Sequence, residues 1–302
     1  MDFRDVNYVV TIAKCKNLSK AAKELYVTQP TLTKFVQNLE KELGQPLFQR
    51  RGNYFELTYA GERYVEKAKS ILAIKKEIDE ELMDIVKRDV GELRIAFPIM
   101  RGNYMLPCTL PVFQKKYPNV KVYVQEANSD HLESMLSDGE IDIAFFTLPI
   151  QDSNIDFDVI SHEEVVLVMS KENPLAKLGC EREECNFPWV DIKEFANEKF
   201  ILQRPVQRTR KITDKLFKKA KMNIKPTLEI RNILASVKLA SEGFGMTLVG
   251  ETHLRHVSVE KPLAVFSVGE PKTTTHFVAA YRKGVYLPNY AKDYIKIVKE
   301  LT

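Results

Sequence analysis

Residues 19–50 read SKAAKELYVTQPTLTKFVQNLEKELGQPLFQR, two short amphipathic segments on either side of a turn, the second opening on Thr28, Gln29, Pro30, Thr31 and Thr33. Thr28 is a good N-cap, and Pro30 is at home in a first helical turn because its missing N–H has no intrahelical partner there. Leu32, Phe35, Val36, Leu39 and Leu43 then form one apolar stripe, and Gly44 supplies the stop. If that stripe faces a core, Gln29, Thr31, Thr33 and Lys34 face outward. Short amide and hydroxyl side chains at a helix head enter a DNA major groove unobstructed and exchange hydrogen bonds with base edges, while open backbone N–H groups suit phosphates.

Upstream, Phe3, Val6, Val9, Val10 and Ala13 share one helical face, which Asn17 and Leu18 interrupt. Ser19 reads as the N-cap of a short helix, KAAKEL. Two helices joined by a tight turn, the second with a polar outer face, are helix-turn-helix geometry. Downstream, PLFQRRGNYFELT reads as strand, Gly-Asn turn and strand, a β-hairpin wing with Arg50 and Arg51 at its root. The competing reading is a plain three-helix domain whose polar residues are caps and solvated surface.

The 302 residues suffice for two or three domains, with 44% hydrophobic and 28% charged residues, as in an ordinary folded protein. A net charge of +4 makes the chain no polycation, but residues 1–65 hold ten basic and seven acidic side chains against 35 and 34 in the other 237. The basic excess therefore lies in the first fifth, where the helix-turn-helix pattern is. Four cysteines make no disulfide framework, MDFRDVNYVV is no signal peptide, and no apolar run approaches the ~20 residues of a membrane span. The expectation is a cytoplasmic protein without membrane attachment.

Thr58 can cap a long helix reaching about Arg88. Tyr64, Ala68, Ile71, Lys75, Ile78, Leu82 and Ile85 alternate in steps of four and three, a heptad stripe with one polar member. So narrow a stripe suits pairing with another helix, the alternative being packing on its own domain. Beyond it, GELRIAF, VKVYVQE and IDIAFFT read as strands with helices over Leu106–Lys116 and His131–Ser137 between them. EEVVLVMS, KFILQ, TLEI and GMTLV follow with helices over Thr209–Ala220 and Ile233–Glu242, then a strand, THFVAAYRKG, and a last helix, PNYAKDYIKIVKE. Strand and helix in alternation, in two series with a late return strand, predict an α/β unit of two lobes with a ligand cleft between them.

The run S-K-A-A-x-x-L-x-x-T-Q-P-T-L-T-x-x-x-x-x-L-E-x-x-L-G-x-P-L-F-x-R, followed by L-T-x-A-G over Leu57–Gly61, resembles the N-terminal signature of LysR-type transcriptional regulators. The likeness continues more weakly in GELRIAF, Leu106-Pro107, GEIDIAFF and V-x-x-A-x-x-G-F-G-M-T-L-V. It implies an α+β multidomain chain. A winged helix-turn-helix over 1–58 and a linker and dimerisation helix over 59–88 precede a two-lobed α/β effector domain over 91–302, like a type 2 periplasmic binding protein. Lobe 1 is expected over about 91–162 and 268–302, and lobe 2 over about 163–267. The resemblance places Gln29, Pro30 and Thr33 where the family approaches bases and Arg50 at the wing arginine. Thr31 stands where alanine is commoner and Thr33 where serine is. It further implies double-stranded DNA with an interrupted inverted repeat as partner and a homodimer or homotetramer; the absence of any GxSxG, P-loop or HExxH pattern leads to the separate expectation that the protein is not an enzyme.

Loop and helix-head positions supply the expected effector contacts. They are Ile99, Met100, Arg101, Gly102 and Asn103 after the first strand, Asn128 after the second, Thr147 after the third, and Gln203, Arg204, Arg208, Asn232 and Gly245 from the second lobe. Met100 occupies a place where the family commonly has Ser or Thr. Arg101, Arg204 and Arg208 suggest a small carboxylate or other anion, the alternative for each being solvated surface.

Cys180 and Cys185 in CEREEC read as an exposed loop, with a redox-sensing disulfide as the alternative. His253, His256 and Glu251 lack the company of a metal site, and Gly243-Phe244-Gly245 is no dinucleotide loop. No cofactor, metal or catalytic constellation is expected. The alternative function is a small-molecule binding protein without a DNA role.

Overall fold

The computed structural model describes residues 2–51, 54–85 and 90–302, and the side chains of Glu80, Met83, Asp84, Ile85 and Asp130 also lie outside the description. The expected Gly52-Asn53 turn, the last residues of the linker helix (86–88) and the Ile85 side chain therefore lie outside the described residues. The chain divides into two compact units, Met1–Arg88 and Asp89–Thr302.

The first unit comprises α1 (Phe3–Cys15), α2 (Leu18–Glu24), α3 (Gln29–Leu43), a two-stranded antiparallel ribbon of β1 (Phe48–Arg51) and β2 (Tyr54–Leu57), and α4 (Tyr59–Ile85). The apolar faces read from the sequence converge on one core, with Val9, Ile12, Ala21, Leu32 and Val36 buried in it. Thr28 caps α3 by accepting from the Thr31 N–H, and Gly44 ends that helix in the left-handed region at φ 68°. The cap of α2 differs from expectation. Asn17, not Ser19, accepts from the Lys20 N–H at 3.0 Å, because the helix begins two residues earlier, at Leu18, whose side chain joins the core. Glu40 on α3 takes the Leu47 and Phe48 N–H groups at 2.7 and 2.9 Å, fixing the ribbon to the helix. Thr58 caps α4 by accepting from the Gly61 N–H at 3.0 Å. A Cβ at Gly61 would lie 1.9 Å from the Leu47 carbonyl oxygen, so this crossing requires glycine.

The second unit is α/β. In chain order it holds β3 (Val90–Phe97), α5 (Ile99–Lys116), β4 (Asn119–Glu126), α6 (Ser129–Ser137), β5 (Ile143–Thr147) and β6 (Ile155–Ser170). There follow β7 (Trp189–Val190), β8 (Ile201–Gln203), α7 (Arg208–Lys219), β9 (Leu228–Ile230), α8 (Ile233–Ser241) and β10 (Thr247–Gly250). The chain closes with α9 (Glu251–Leu254), β11 (Leu263–Val268), β12 (Thr274–Arg282) and α10 (Asn289–Glu300). Strands run in the order β4-β3-β5-β12-β6-β11-β7, with β10 also on β6, and β8 pairs with β9 apart from them.

The 16-residue β6 joins the two halves: its first part pairs with β12 and its second with β10 and β11. In the first half Ile95 and Phe97 of β3 fall in one core and Ala96 in another, the alternation of a sheet covered on both faces. One boundary departs from the sequence reading. α5 starts at Ile99 rather than Leu106, running through Pro107 and Pro111. Pro107 resembles a first-turn proline, but burial of Met105 and the Gly102 N–H bond to the Pro98 carbonyl carry the helix upstream of it. Positions 99–103 are therefore a helix head and not a loop.

Candidate nucleic-acid interface and effector cleft

At the head of α3, Thr28, Gln29, Pro30, Thr31 and Lys34 are exposed and Thr33 is half-exposed. Their polar atoms are already partly committed. The Thr28 and Thr31 hydroxyls lie 2.8 Å apart, the Thr33 hydroxyl donates to the Gln29 carbonyl at 3.0 Å, and Ser19 Oγ donates to Gln29 Oε1 at 2.8 Å. Arg50 and Arg51 are exposed, but Arg51 pairs with Tyr54 and Arg50 with Phe55. They sit at the far end of the ribbon and not at its root, which is Phe48 opposite Leu57. Gln29, Arg50, Ser19 and Tyr54 border one recess of 300 Å³. The ribbon thus brings a cation beside the helix head.

Along α4 the heptad stripe divides. Ala68 is buried, Tyr64 and Ile71 are half-buried, and these three line a hollow of the same unit together with Val6 and Leu47. Farther on, Ile74, Ile78 and Leu82 are 58%, 53% and 57% exposed, and Lys75 Nζ lies 2.5 Å from Asp79. The first part of the helix packs on its own unit, while the later part offers an uncovered apolar row.

In the second unit a cleft of 510 Å³ is lined by Ile99, Met100, Arg101, Asn128, Thr147, Arg208 and Asn232 of the expected residues. Four helix heads meet at it. Asn128 and Asn232 cap α6 and α8 through their side chains, but the heads of α5 and α7, after Pro98 and Gln207, have no side-chain cap bond. The two expected arginines on the cleft are buried and paired: Arg101 with Glu163 on β6, and Arg208 with Glu133 on α6. Glu133 also accepts from the Gln151 N–H at 2.9 Å, and Arg208 lies over the Phe146 ring at 4.4 Å.

Behind Arg101 stands a buried polar cluster. Thr252 donates to Glu163 at 2.8 Å, and at the edge of the cluster the exposed His256 stacks on Tyr104 with ring centroids 4.0 Å apart. Burial pushes the His253 imidazole down to about 3, with the Arg101 charge acting the same way, so it is neutral. Burial pushes the Tyr104 phenol up to about 12. Arg101 Nη1, Tyr104 Oη and His253 Nδ1 are buried and have no hydrogen-bond partner among the described residues. Glu163 is held below the usual carboxylate range: burial raises it, and the Arg101 charge together with the hydrogen bonds from Arg101 and Thr252 more than offsets that.

Two family profiles cover nearly the whole chain: the bacterial regulatory helix-turn-helix of the lysR family matches residues 3–62, and the LysR substrate binding domain matches residues 87–302. The chain belongs to the LysR family. As such it is a DNA-binding transcriptional regulator with an effector-binding domain, in a family of regulators and not enzymes. Among its relatives, the HTH-type transcriptional regulator YwbI of Bacillus subtilis is 30% identical, with 99% of this chain and 96% of that one covered. The activator CmpR of a Synechocystis strain is 25% identical over 94% of this chain and 90% of its own. The fold is that of a full-length OxyR variant from Pseudomonas aeruginosa, at TM-score 0.78, 19% identity and coverage of 100% and 99%. CbnR in complex with its target DNA matches at TM-score 0.62, 22% identity and full coverage of both chains.

In this LysR-type regulator five expected effector contacts lie off the cleft lining. Asn103 and Arg204 are exposed elsewhere, and Gln203 is fully buried with Nε2 3.4 Å from the Thr247 hydroxyl. Gly102 is buried, and a Cβ there would meet Glu126 at 2.7 Å. Gly245 lets the chain pass the Lys199 carbonyl, which a Cβ would approach to 2.7 Å. With Arg204 elsewhere and Arg101 and Arg208 paired, the three-arginine argument for an anion does not hold as first drawn. The lining residues that sequence reading missed include Glu126, Arg231 and His253. Of these, the sequence reading considers His253 only as a metal ligand, beside His256 and Glu251. Among the described residues no group of three or more His, Cys, Asp or Glu side chains could hold a metal ion, and none of the helices is long and apolar enough to cross a membrane. Cys180 and Cys185 are free thiols, the first exposed and the second half-buried.

Proposed function

We propose that this cytoplasmic regulator binds duplex DNA as a homodimer across an interrupted inverted repeat. The head of α3 (Thr28, Gln29, Pro30, Thr31, Thr33 and Lys34) enters the major groove, and Arg50 and Arg51 bind the adjacent backbone or minor groove. The observation that carries the reading is the outward face of α3 with Arg50 beside it, bordering one recess with Gln29. Dimerisation runs through the exposed part of α4, where Ile74, Ile78 and Leu82 repeat in steps of four, and two protomers place two recognition helices on two half-sites.

A small anion, a carboxylate by preference, is the proposed effector. What supports it is the pair of uncapped helix heads, α5 and α7, at one cleft, with Arg231 on its lining. Backbone N–H groups there do the work of the hydroxyl that Met100 replaces. The effector changes the DNA contacts by favouring one arrangement of the assembly over another. The test is equilibrium binding of the full chain to its upstream DNA and to a scrambled duplex, with Gln29→Ala in parallel. Loss of sequence preference in the variant supports the reading, and an unchanged preference contradicts it.

A further inference from the structure

Among the described residues, five ionisable side chains line the effector cleft: Arg101, Glu126, Arg208, Arg231 and His253. Three of them offer a ligand no net charge. Arg101 is paired with Glu163, Arg208 with Glu133 while it also donates to the Thr147 carbonyl, and His253 is neutral. One negative and one positive charge remain. Glu126 and Arg231 are both exposed, and among the described residues neither charged group has an ion-pair partner. They come from the two halves of the unit: Glu126 ends β4, two residues before the Asn128 cap of α6, and Arg231 follows β9, directly before the Asn232 cap of α8.

Each of the two stands by a different helix head. A Cβ on Gly102 would lie 2.7 Å from Glu126 Oε1, so this carboxylate lies against the first turn of α5 and already sets a negative charge at that uncapped head. Arg231 is tied to α7 instead: its carbonyl accepts from Gln207 Nε2 at 3.0 Å, and Gln207 directly precedes the helix. The head of α7 thus has N–H groups without a side-chain cap beside an unpaired guanidinium, which suits a carboxylate. Ile99, Met100, Val206 and Ile233 add apolar lining, and Ile99 and Val206 are more than half exposed. We infer that the effector is a zwitterion, an amino acid with an apolar side chain: its carboxylate binds the α7 head and Arg231, its ammonium binds Glu126, and its side chain covers the apolar lining. The inference rests on the reading of this cleft as the site of a small carboxylate and narrows it. A dicarboxylate or a sugar phosphate brings a second negative charge, for which the lining holds no further unpaired cation and which meets Glu126. A ligand held by its ammonium on one half and its carboxylate on the other also links the halves, and so favours the arrangement in which both contacts are made.

The test is calorimetric binding of the full-length protein to valine, leucine, isoleucine, methionine and phenylalanine, each beside the acid that lacks its amine and the amine that lacks its carboxylate, with succinate as the dianion. Wild type, Glu126→Gln and Arg231→Gln are compared, and because both side chains are exposed the variants should fold, which thermal unfolding checks. At least one amino acid is expected to bind wild type about tenfold more tightly than either of its truncated counterparts, the worth of one charge-assisted hydrogen bond. Glu126→Gln should abolish the advantage over the deaminated acid while leaving that acid's own affinity unchanged. Arg231→Gln should weaken the amino acid and the deaminated acid alike. A deaminated acid that binds as tightly as its amino acid, succinate binding more tightly than any of them, or an amino-acid advantage that survives Glu126→Gln overturns the inference and leaves the small-anion reading standing. If no carboxylate of any kind binds, that reading falls and the inference with it.

Discussion

Arg208, at the head of α7, is paired with Glu133 on α6, and both side chains are buried. A cation at a helix N-terminus is unfavourable against the helix dipole, so the carboxylate is what makes Arg208 tenable there. The pair links the two halves of the effector unit across its cleft, and any anion entering the cleft meets an arginine that already has a partner.

Glu133→Gln leaves the buried guanidinium without its counter-charge and should destabilise the effector unit by about 3 kcal/mol. The double variant Glu133→Leu/Arg208→Met should recover much of that loss, because replacing a whole buried pair is far less costly than breaking it. Chemical denaturation of the three proteins measures both effects. Equal losses in the single and double variants would show that the ion pair is not what the site depends on.

His253 gives the effector unit a definite pH dependence. Its folded value of about 3 lies below the ordinary 6.5, so between these values the unfolded chain binds a proton that the folded chain refuses. Stability therefore falls as pH drops from about 6.5 toward 3, by up to about 1.4 kcal/mol per pH unit from this group. Depressed carboxylates such as Glu163 and Asp293 act in the same direction at lower pH. Thermal unfolding at pH 7 and pH 5 should separate wild type from His253→Gln, the wild type losing more. Identical losses would contradict a neutral buried imidazole.

Gly61→Ala should cost the first unit about 3 kcal/mol, because the added Cβ would lie 1.9 Å from the Leu47 carbonyl oxygen and a main-chain atom cannot step aside. Thermal unfolding of residues 1–88 within the full chain reads this. Little or no shift would mean that the crossing of α4 over the ribbon is looser than described.

Ile78→Glu and Leu82→Glu should convert the dimer to monomer without unfolding either unit, since both side chains are more than half exposed and their burial between copies is the proposed driving force. Light scattering with circular dichroism checks this. A dimer that survives both substitutions places the interface elsewhere.

Much of the fold could be read because short-range rules govern it. The head of α3 was legible through Thr28, Pro30 and Gly44, each a residue whose local chemistry permits few alternatives. Tertiary effects were not legible. Ser19 looked like a cap because serine is a good one, yet the burial of Leu18 moved the helix start and released its hydroxyl for Gln29. Pro107 concealed the first two turns of α5, and with them the fact that Ile99, Met100 and Arg101 are a helix head. The charges of Arg101 and Arg208 were visible, but their partners Glu163 and Glu133 lie 62 and 75 residues away, beyond any periodicity.

The most direct measurement is equilibrium binding of the full chain to its upstream DNA and to a scrambled duplex, from about 50 to 200 mM salt. The predicted result is a tighter complex with the first duplex at every salt concentration, affinity for both falling linearly in log–log form, and Gln29→Ala keeping the slope while losing the ratio. Wild type that binds neither duplex at low salt, or binds both equally and indistinguishably from Gln29→Ala, would contradict base reading by the head of α3.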